Sequence, residues 1–205
     1  MKARISREMP DVKDKLQWKE DVCKYSESAF EEHKEDYETI ANCIYKLLET
    51  HYEANRWVVF VYELPGDTLV YYQYGYCCTI ECVDMVTGKK YYVALKCYPN
   101  NSFISRKLYL GGEECKTGSI KVLEKGEVNE QDIISCFSSL VKADTVELDV
   151  EQIVNSFSSK AGDYNLGMDW GVSKCRKGAI ATNLKDNQYL LFQLGDFIYL
   201  CFRQL

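Results

Sequence analysis

The sequence predicts an α+β chain of two tandem units, each a strand, two helices and then antiparallel strands. Three observations predict it. The order strand, helix, helix, four strands runs twice through 205 residues, a length that admits one large domain or two of about a hundred residues each. Residues 99–118, with Pro99 and the Gly111-Gly112 pair, have the composition of a linker between the two copies. The 16 Tyr dominate an aromatic share of 13%, which suits half-buried sheet. The expected division is a first unit over 1–100, a linker over 101–118 and a second unit over 119–205. The competing reading is one mixed-sheet domain whose order repeats by coincidence.

Residues 3–7 read as a short strand ahead of Pro10. Over 12–30 the pattern is helical, with Val12, Leu16, Val22, Tyr25 and Ala29 or Phe30 recurring on one face. The acidic run 31–36 interrupts it and suits the N-terminus of a following helix. That helix carries the clearest apolar stripe, Ile40, Ile44, Leu47 and Leu48, ending near Tyr52. Residues 57–62 are a continuous β-branched and aromatic run, too short for a helix and typical of a strand buried on both faces. Leu64-Pro65-Gly66-Asp67 turns the chain. Residues 68–74, 76–83 and 90–98 read as three further strands, the last two joined through Thr87-Gly88.

Within the linker, Leu108-Tyr109-Leu110 is a candidate short strand. The order then restarts. Residues 119–123 read as a strand, 129–141 as a helix capped by Asn129, and 146–160 as a helix striped by Val150, Ile153, Val154 and Phe157 and ended by Gly162. Strands follow over 168–173 and 178–184, and 188–194 with 197–203 form a hairpin about Gly195-Asp196. Ile5 with Ile120, and Trp57 with Val172, serve as corresponding landmarks of the repeat.

Lys+Arg total 25 against 31 Asp+Glu, so the net charge of -6 argues against nucleic acid as a partner. The first residues are charged and lack the apolar core of a secretory signal. The longest strongly apolar runs, 57–62 and 197–202, fall far below the roughly 20 residues of a membrane span. A cytoplasmic chain with reduced thiols and no membrane contact is expected. Cys23, Cys43, Cys136 and Cys201 lie in apolar-periodic stretches, as small buried side chains do. Cys77, Cys78 and Cys82 lack the paired spacing of a zinc site, and His33 and His51 are the only histidines. No metal or cofactor is expected.

Catalysis is not expected either. Cys43 and His51 are eight residues apart on one expected helix, about 12 Å along its axis, too far for one to activate the other. No Gly-rich phosphate loop follows a strand. Lys174-Cys175-Arg176-Lys177 is the densest basic cluster and reads either as solvated turn residues or as a contact for an acidic partner or a tubulin surface. The acidic stretch 27–38 reads as a solvated helix junction. Tyr71, Tyr72, Tyr74 and Tyr76 read first as one face of a half-buried strand and second as a recognition face.

The segment Gly178-Ala179-Ile180-Ala181-Thr182-Asn183-Leu184, with residues 188–205 after it, resembles the closing part of the eight-kilodalton dynein light chain family. Those proteins end in a Gly-small-aromatic-Val-Thr strand and an aromatic hairpin turning at Leu-Gly. Residues 2–6 resemble the family's first strand, and 23–30 and 40–52 its two helices, leading to a Trp-initiated strand at Trp57. Residues 119–154 resemble a second, more diverged copy of that opening. The resemblance implies a non-catalytic module that pairs extended partner segments with a sheet edge, and a pair of units that exchange one strand. A tandem chain would make that assembly within itself, as an intramolecular pseudo-dimer.

Carried over by motif, the resemblance implies partner binding by Lys177, Gly178, Ala179, Ile180, Ala181, Thr182 and Asn183, with Tyr189, Leu191 and Gln193 as a groove floor. In the first unit it implies Gly66, Asp67, Thr68, Leu69, Val70, Tyr71 and Tyr72. Lys177 stands where the family has Phe, Pro65 takes the other Phe position, and Leu191 and Gln193 replace two Tyr. The family's preference for Thr-Gln-Thr-like segments is therefore left open. The plainer alternative is that one or both strands only complete the pseudo-dimer. The function expected on this resemblance is a scaffold subunit of a microtubule-associated, axonemal or ciliary dynein complex, in the cytoplasm and cytoskeleton. Its partners would be dynein intermediate chains or other ciliary and cytoskeletal proteins. The alternative is a free cytosolic adaptor of the same fold outside any motor.

Overall fold

The computed structural model describes residues 1–8, 16–52, 56–70, 77–98, 102–109, 117–159, 170–184 and 188–203. The expected turn at Gly162 and the residues Tyr71, Tyr72, Tyr74 and Tyr76 lie outside them. The described chain is α+β, with four α-helices and two sheets.

The chain divides into two units, and each takes one short piece from the opposite half of the sequence. Unit 1 is Met1–Leu64, Tyr74–Leu108 and Gly178–Asn183, and unit 2 is Pro65–Gln73, Tyr109–Lys177 and Leu184–Leu205. The expected cuts near 100 and 119 follow the chain in sequence, whereas the borrowed pieces cross those cuts in both directions.

Unit 1 starts with β1 (Lys2–Glu8), α1 (Leu16–His33) and α2 (Tyr37–His51). The acidic run 31–36 does separate the two helices, and the break begins after His33, a little beyond the expected end near 30. α1 continues to His33 and stops where Lys34 takes φ 54°. Asp36 then caps α2, its carboxylate accepting from the Thr39 N–H and, at 2.7 Å, from the Thr39 hydroxyl. β2 (Arg56–Tyr62), β4 (Cys77–Val83) and β5 (Lys90–Tyr98) build the sheet against these helices. Val22, Phe30, Ile40, Ile44 and Leu48 pack against Trp57, Val59, Val61, Ile80, Val93 and Leu95. Each fully buried aliphatic side chain of this kind contributes about 1.5–3 kcal/mol.

Unit 2 repeats the scheme with β7 (Ile120–Lys125), α3 (Glu130–Phe137), α4 (Val150–Ser159), β8 (Trp170–Cys175), β10 (Tyr189–Leu194) and β11 (Phe197–Arg203). Asn129 caps α3, accepting from the Gln131 N–H, and a 3-10 turn over Ser138–Leu140 finishes the segment expected to be helical to 141. α4 begins at Val150, the first residue of its apolar stripe, and not at the expected 146. The Tyr199 hydroxyl accepts from the Leu148 N–H at 2.7 Å and donates to the Leu148 carbonyl at 3.1 Å, holding that backbone outside the helix. Asp149 then accepts from the Glu151 N–H at 2.7 Å. Ile133, Phe137, Val150, Ile153 and Phe157 meet Trp170, Val172, Phe192 and Tyr199 in the second core.

The remaining strands are β3 (Gly66–Val70), β6 (Ser102–Tyr109) and β9 (Lys177–Leu184). The six-stranded sheet of unit 1 has the order β1-β4-β5-β2-β9-β6, and the five-stranded sheet of unit 2 the order β7-β10-β11-β8-β3. With strands named by their place within each copy, both sheets run first, fourth, fifth, second and then the third strand of the opposite half. The exchange is reciprocal. Among the described residues β6 has no counterpart in the five-stranded sheet, and it falls in the expected linker, where 108–110 is the candidate strand.

Candidate functional site

The exchange begins at two short connections. After β2 the chain passes through Glu63, Leu64 and Pro65 before β3, and after β8 it passes through Arg176 before β9. Both departures are pinned by charge. Glu63 accepts a hydrogen bond from the Tyr37 hydroxyl and pairs with Lys89 at 3.1 Å, and Lys89 also bonds Glu35 at 2.9 Å. Burial alone would lower the pKa of Lys89, but these two carboxylates hold it above the ordinary lysine value. In unit 2 the buried Lys174 ammonium donates to Glu147 at 2.7 Å and to the Leu148 carbonyl at 3.2 Å. Arg176 pairs with Asp196 at 3.5 Å and stands 5.1 Å over the Phe197 ring. Two members of the expected basic cluster therefore have partners within the chain.

Both exchanged strands enter in the same way. Gly178 lies opposite Tyr62 and Thr182 opposite Val58, while Gly66 lies opposite Cys175 and Val70 opposite Gly171, all antiparallel. In each pair a glycine at or next to the start of the exchanged strand, Gly66 in β3 and Gly178 in β9, faces the last residue of the strand that receives it. This register makes Trp57 correspond to Trp170 rather than to Val172, the landmark taken from the sequence. The two tryptophans sit at matching ends of β2 and β8, each 2% exposed.

The far edges of the two strands differ. β9 lies between β2 and β6, with a hydrogen-bonded strand on each side. The strand that carries Gly178, Ala179, Ile180, Ala181, Thr182 and Asn183, expected to receive a partner, thus has a neighbouring strand on each side. Ala179 packs into the helix-facing core, and Ile180, opposite Phe60, is fully buried. β3 ends its sheet, and among the described residues β8 is its one hydrogen-bonded neighbour. Gly66, Asp67, Thr68, Leu69 and Val70 therefore carry a backbone edge of the kind that accepts an added strand.

Tyr189, Leu191 and Gln193 lie on β10, in the sheet that holds β3 and separated from it by β8 and β11. They alternate with Leu190, Phe192 and Leu194, which face α3 and α4, so they line the opposite face, where all three are buried. The Tyr189 hydroxyl donates to Glu124 at 2.6 Å and the Gln193 amide to the Gly195 carbonyl at 3.0 Å. The polar tips of this floor are engaged inside unit 2.

No family model, curated protein or solved structure matches this chain.

Elsewhere, Cys82, Cys175 and Cys201 are buried and Cys23 and Cys43 partly buried. Burial pushes up the pKa of the thiols of Cys23, Cys43, Cys82, Cys175 and Cys201, which keeps thiolate scarce at neutral pH. His51 stacks on Tyr25 with ring centroids 5.7 Å apart. A shallow depression of about 450 Å³ between α1 and β1 is lined by Ile5, Lys19, Glu20, Cys23, Lys24 and Glu27. Among the described residues no group of three His, Cys, Asp or Glu is placed to hold a metal ion, and no helix is long and apolar enough to cross a membrane.

The strand that sequence reading found only in part is β6, of which 108–109 lay in the candidate strand 108–110. Its signal was the run Ser102-Phe103-Ile104-Ser105-Arg106-Lys107-Leu108-Tyr109, free of Pro and Gly and bounded by Pro99-Asn100-Asn101 and Gly111-Gly112.

Proposed function

We propose that the chain is a non-catalytic scaffold of the dynein-light-chain kind, two tandem units folded as an intramolecular pseudo-dimer that binds extended partner segments by strand addition. The observation that carries this reading is the edge of β3, a strand exchanged into the second sheet and hydrogen-bonded along one side among the described residues. A partner laid along Gly66–Val70 gains main-chain hydrogen bonds from the edge and selectivity from the side chains beside it. The reciprocal exchange supports the tandem part of the proposal. Each unit needs a strand from the opposite half, and covalent linkage supplies it at an effective concentration on the order of millimolar.

The resemblance of the closing segment supports placing this scaffold in a microtubule-associated, axonemal or ciliary dynein complex, with dynein intermediate chains or other cytoskeletal proteins as partners. Affinity capture from axonemal extract on the full chain tests that placement. Recovery of a dynein or spoke component is expected, and capture of other proteins with neither would overturn it.

Strand addition has its own test. In an antiparallel edge strand, neighbouring residues turn their N–H groups alternately toward the sheet and away from it. Thr68→Pro and Leu69→Pro therefore have different consequences. One removes a bond to β8 and lowers Tm, while the other keeps Tm and blocks the outer edge. The variant of unchanged Tm is expected to lose the captured partner. Equal capture by that variant and by the parent chain would contradict binding at β3.

A further inference from the structure

The two exchanged strands hold equivalent positions in their sheets, each pairs antiparallel with the second strand of the opposite copy, and Gly178 and Gly66 face the last residue of that strand in matching register. What differs is the outer edge. On β9 it is occupied by β6, a segment of this chain eight residues long. We infer that residues 102–109 are a built-in ligand strand for the β9 edge, so that the chain offers an extended partner one edge, that of β3. The occupancy of β9 is independent of the functional proposal, whereas the count of one partner site rests on the strand-addition reading above.

The sequence of β6 suits the role. It contains no Pro to remove a ladder donor and no Gly to weaken an extended backbone, and it carries the strand-favouring residues Phe103, Ile104 and Tyr109, with Leu108, around Arg106-Lys107. Connectivity strengthens it. Residues 99–101 join β5 to β6, and both strands belong to the same sheet, so the segment never dilutes away from its edge. With an effective concentration of ~1 mM, a segment of micromolar intrinsic affinity weakens a competing free peptide about a thousandfold. The same device covers an edge that would otherwise recruit strands without selection. The partner suited to β3 is, by the same chemistry, an extended proline-free segment of at least five residues. Such a segment matches the five-residue length of Gly66–Val70.

The experiment replaces residues 102–109 by eight alternating Gly and Ser in the full chain. The probe is a fluorescent synthetic peptide carrying residues 101–110. The replaced chain is expected to bind one more equivalent of peptide than the parent chain, at least tenfold tighter than the parent does at that edge. New hydrogen-exchange protection should appear over 178–182. Equal stoichiometry in a replaced chain that circular dichroism and light scattering show to be folded would overturn the inference. If the replacement prevents folding, hydrogen exchange on the parent chain decides. Protection of alternate amides over 102–109 is expected, and exchange there at unstructured rates with 178–182 still protected would overturn it. These outcomes are read at β9, whereas the proline variants are read at β3, so failure of either proposal is distinguishable from failure of the other.

Discussion

β9 and β3 do the same structural work and meet different surroundings. Each is the third strand of its copy, each completes the sheet of the opposite half, and each enters through a glycine facing the end of its receiving strand. β9 then has a hydrogen-bonded neighbour along both edges, and β3 along one among the described residues. Near-equivalent strands thus differ in their described neighbours through the segment after β5, which pairs with β9. The asymmetry between the units lies in the connection between them more than in the exchanged strands.

The largest expected effect breaks the filled side of that comparison. Ile180 is fully buried in β9, opposite Phe60, and Ile180→Asp places an unpaired carboxylate there. A loss of about 4 kcal/mol is expected, measured by urea unfolding with fluorescence, together with loss of exchange protection in β2 and β6. An unchanged midpoint would mean that β9 does not complete the first sheet.

A smaller effect compares the two hairpins that close the sheets. Gly195 has φ 56°, and a side chain there would collide with the Val146 backbone carbonyl. Gly88 has φ 71° with open space around it. Gly195→Ala is expected to cost about 2–4 kcal/mol, strain and collision together, and Gly88→Ala about 1–2 kcal/mol from strain alone. Calorimetry should place the larger Tm drop with Gly195→Ala. The reverse order would show the turn contacts to be misassigned.

The smallest effect is a pH dependence carried by the first sheet. Glu81 accepts from Arg4 at 2.8 Å and lies 3.5 Å from Lys90. Burial alone would raise its pKa, but the Arg4 hydrogen bond and charge, with Lys90 behind them, hold it below the usual glutamate value. A depressed folded value means that its contribution is complete above the unfolded value of about 4.3 and is lost as the pH falls through the folded one. Between pH 6 and pH 3 the parent chain should lose more Tm than Glu81→Gln does. Parallel curves would remove Glu81 from the acid response.

Much of the fold was legible because strong local signals agreed with the final packing. The Ile40, Ile44 and Leu48 stripe fixed α2, the aromatic run at 57–62 fixed β2, and Gly195-Asp196 fixed the last turn. What escaped depended on contacts distant in sequence. The Tyr199 hydroxyl delays α4 by holding Leu148, 51 positions away, and the apolar stripe carries no trace of that bond. The edge filled by β6 escaped because the breakers around it, Pro99 and Gly111-Gly112, outweighed an eight-residue run whose partner among the described residues is a strand near the other end of the chain. The site residues were legible as strands, since 66–70 and 178–183 both are. Which of the two has a second hydrogen-bonded strand among the described residues was not, because that belongs to the neighbour and not to the strand.

Reciprocal exchange within one chain is tested most directly by cutting the connection between the halves. A protease site inserted between Gly111 and Gly112 leaves β1 to β6 on one fragment and β7 to β11 on the other. After cleavage, native size-exclusion chromatography with light scattering should give a single species near the 23.7 kDa of the intact chain, separating only in denaturant. Two fragments eluting apart in native buffer, each still folded, would contradict the exchange, and a species of twice that mass would contradict its being made within one chain.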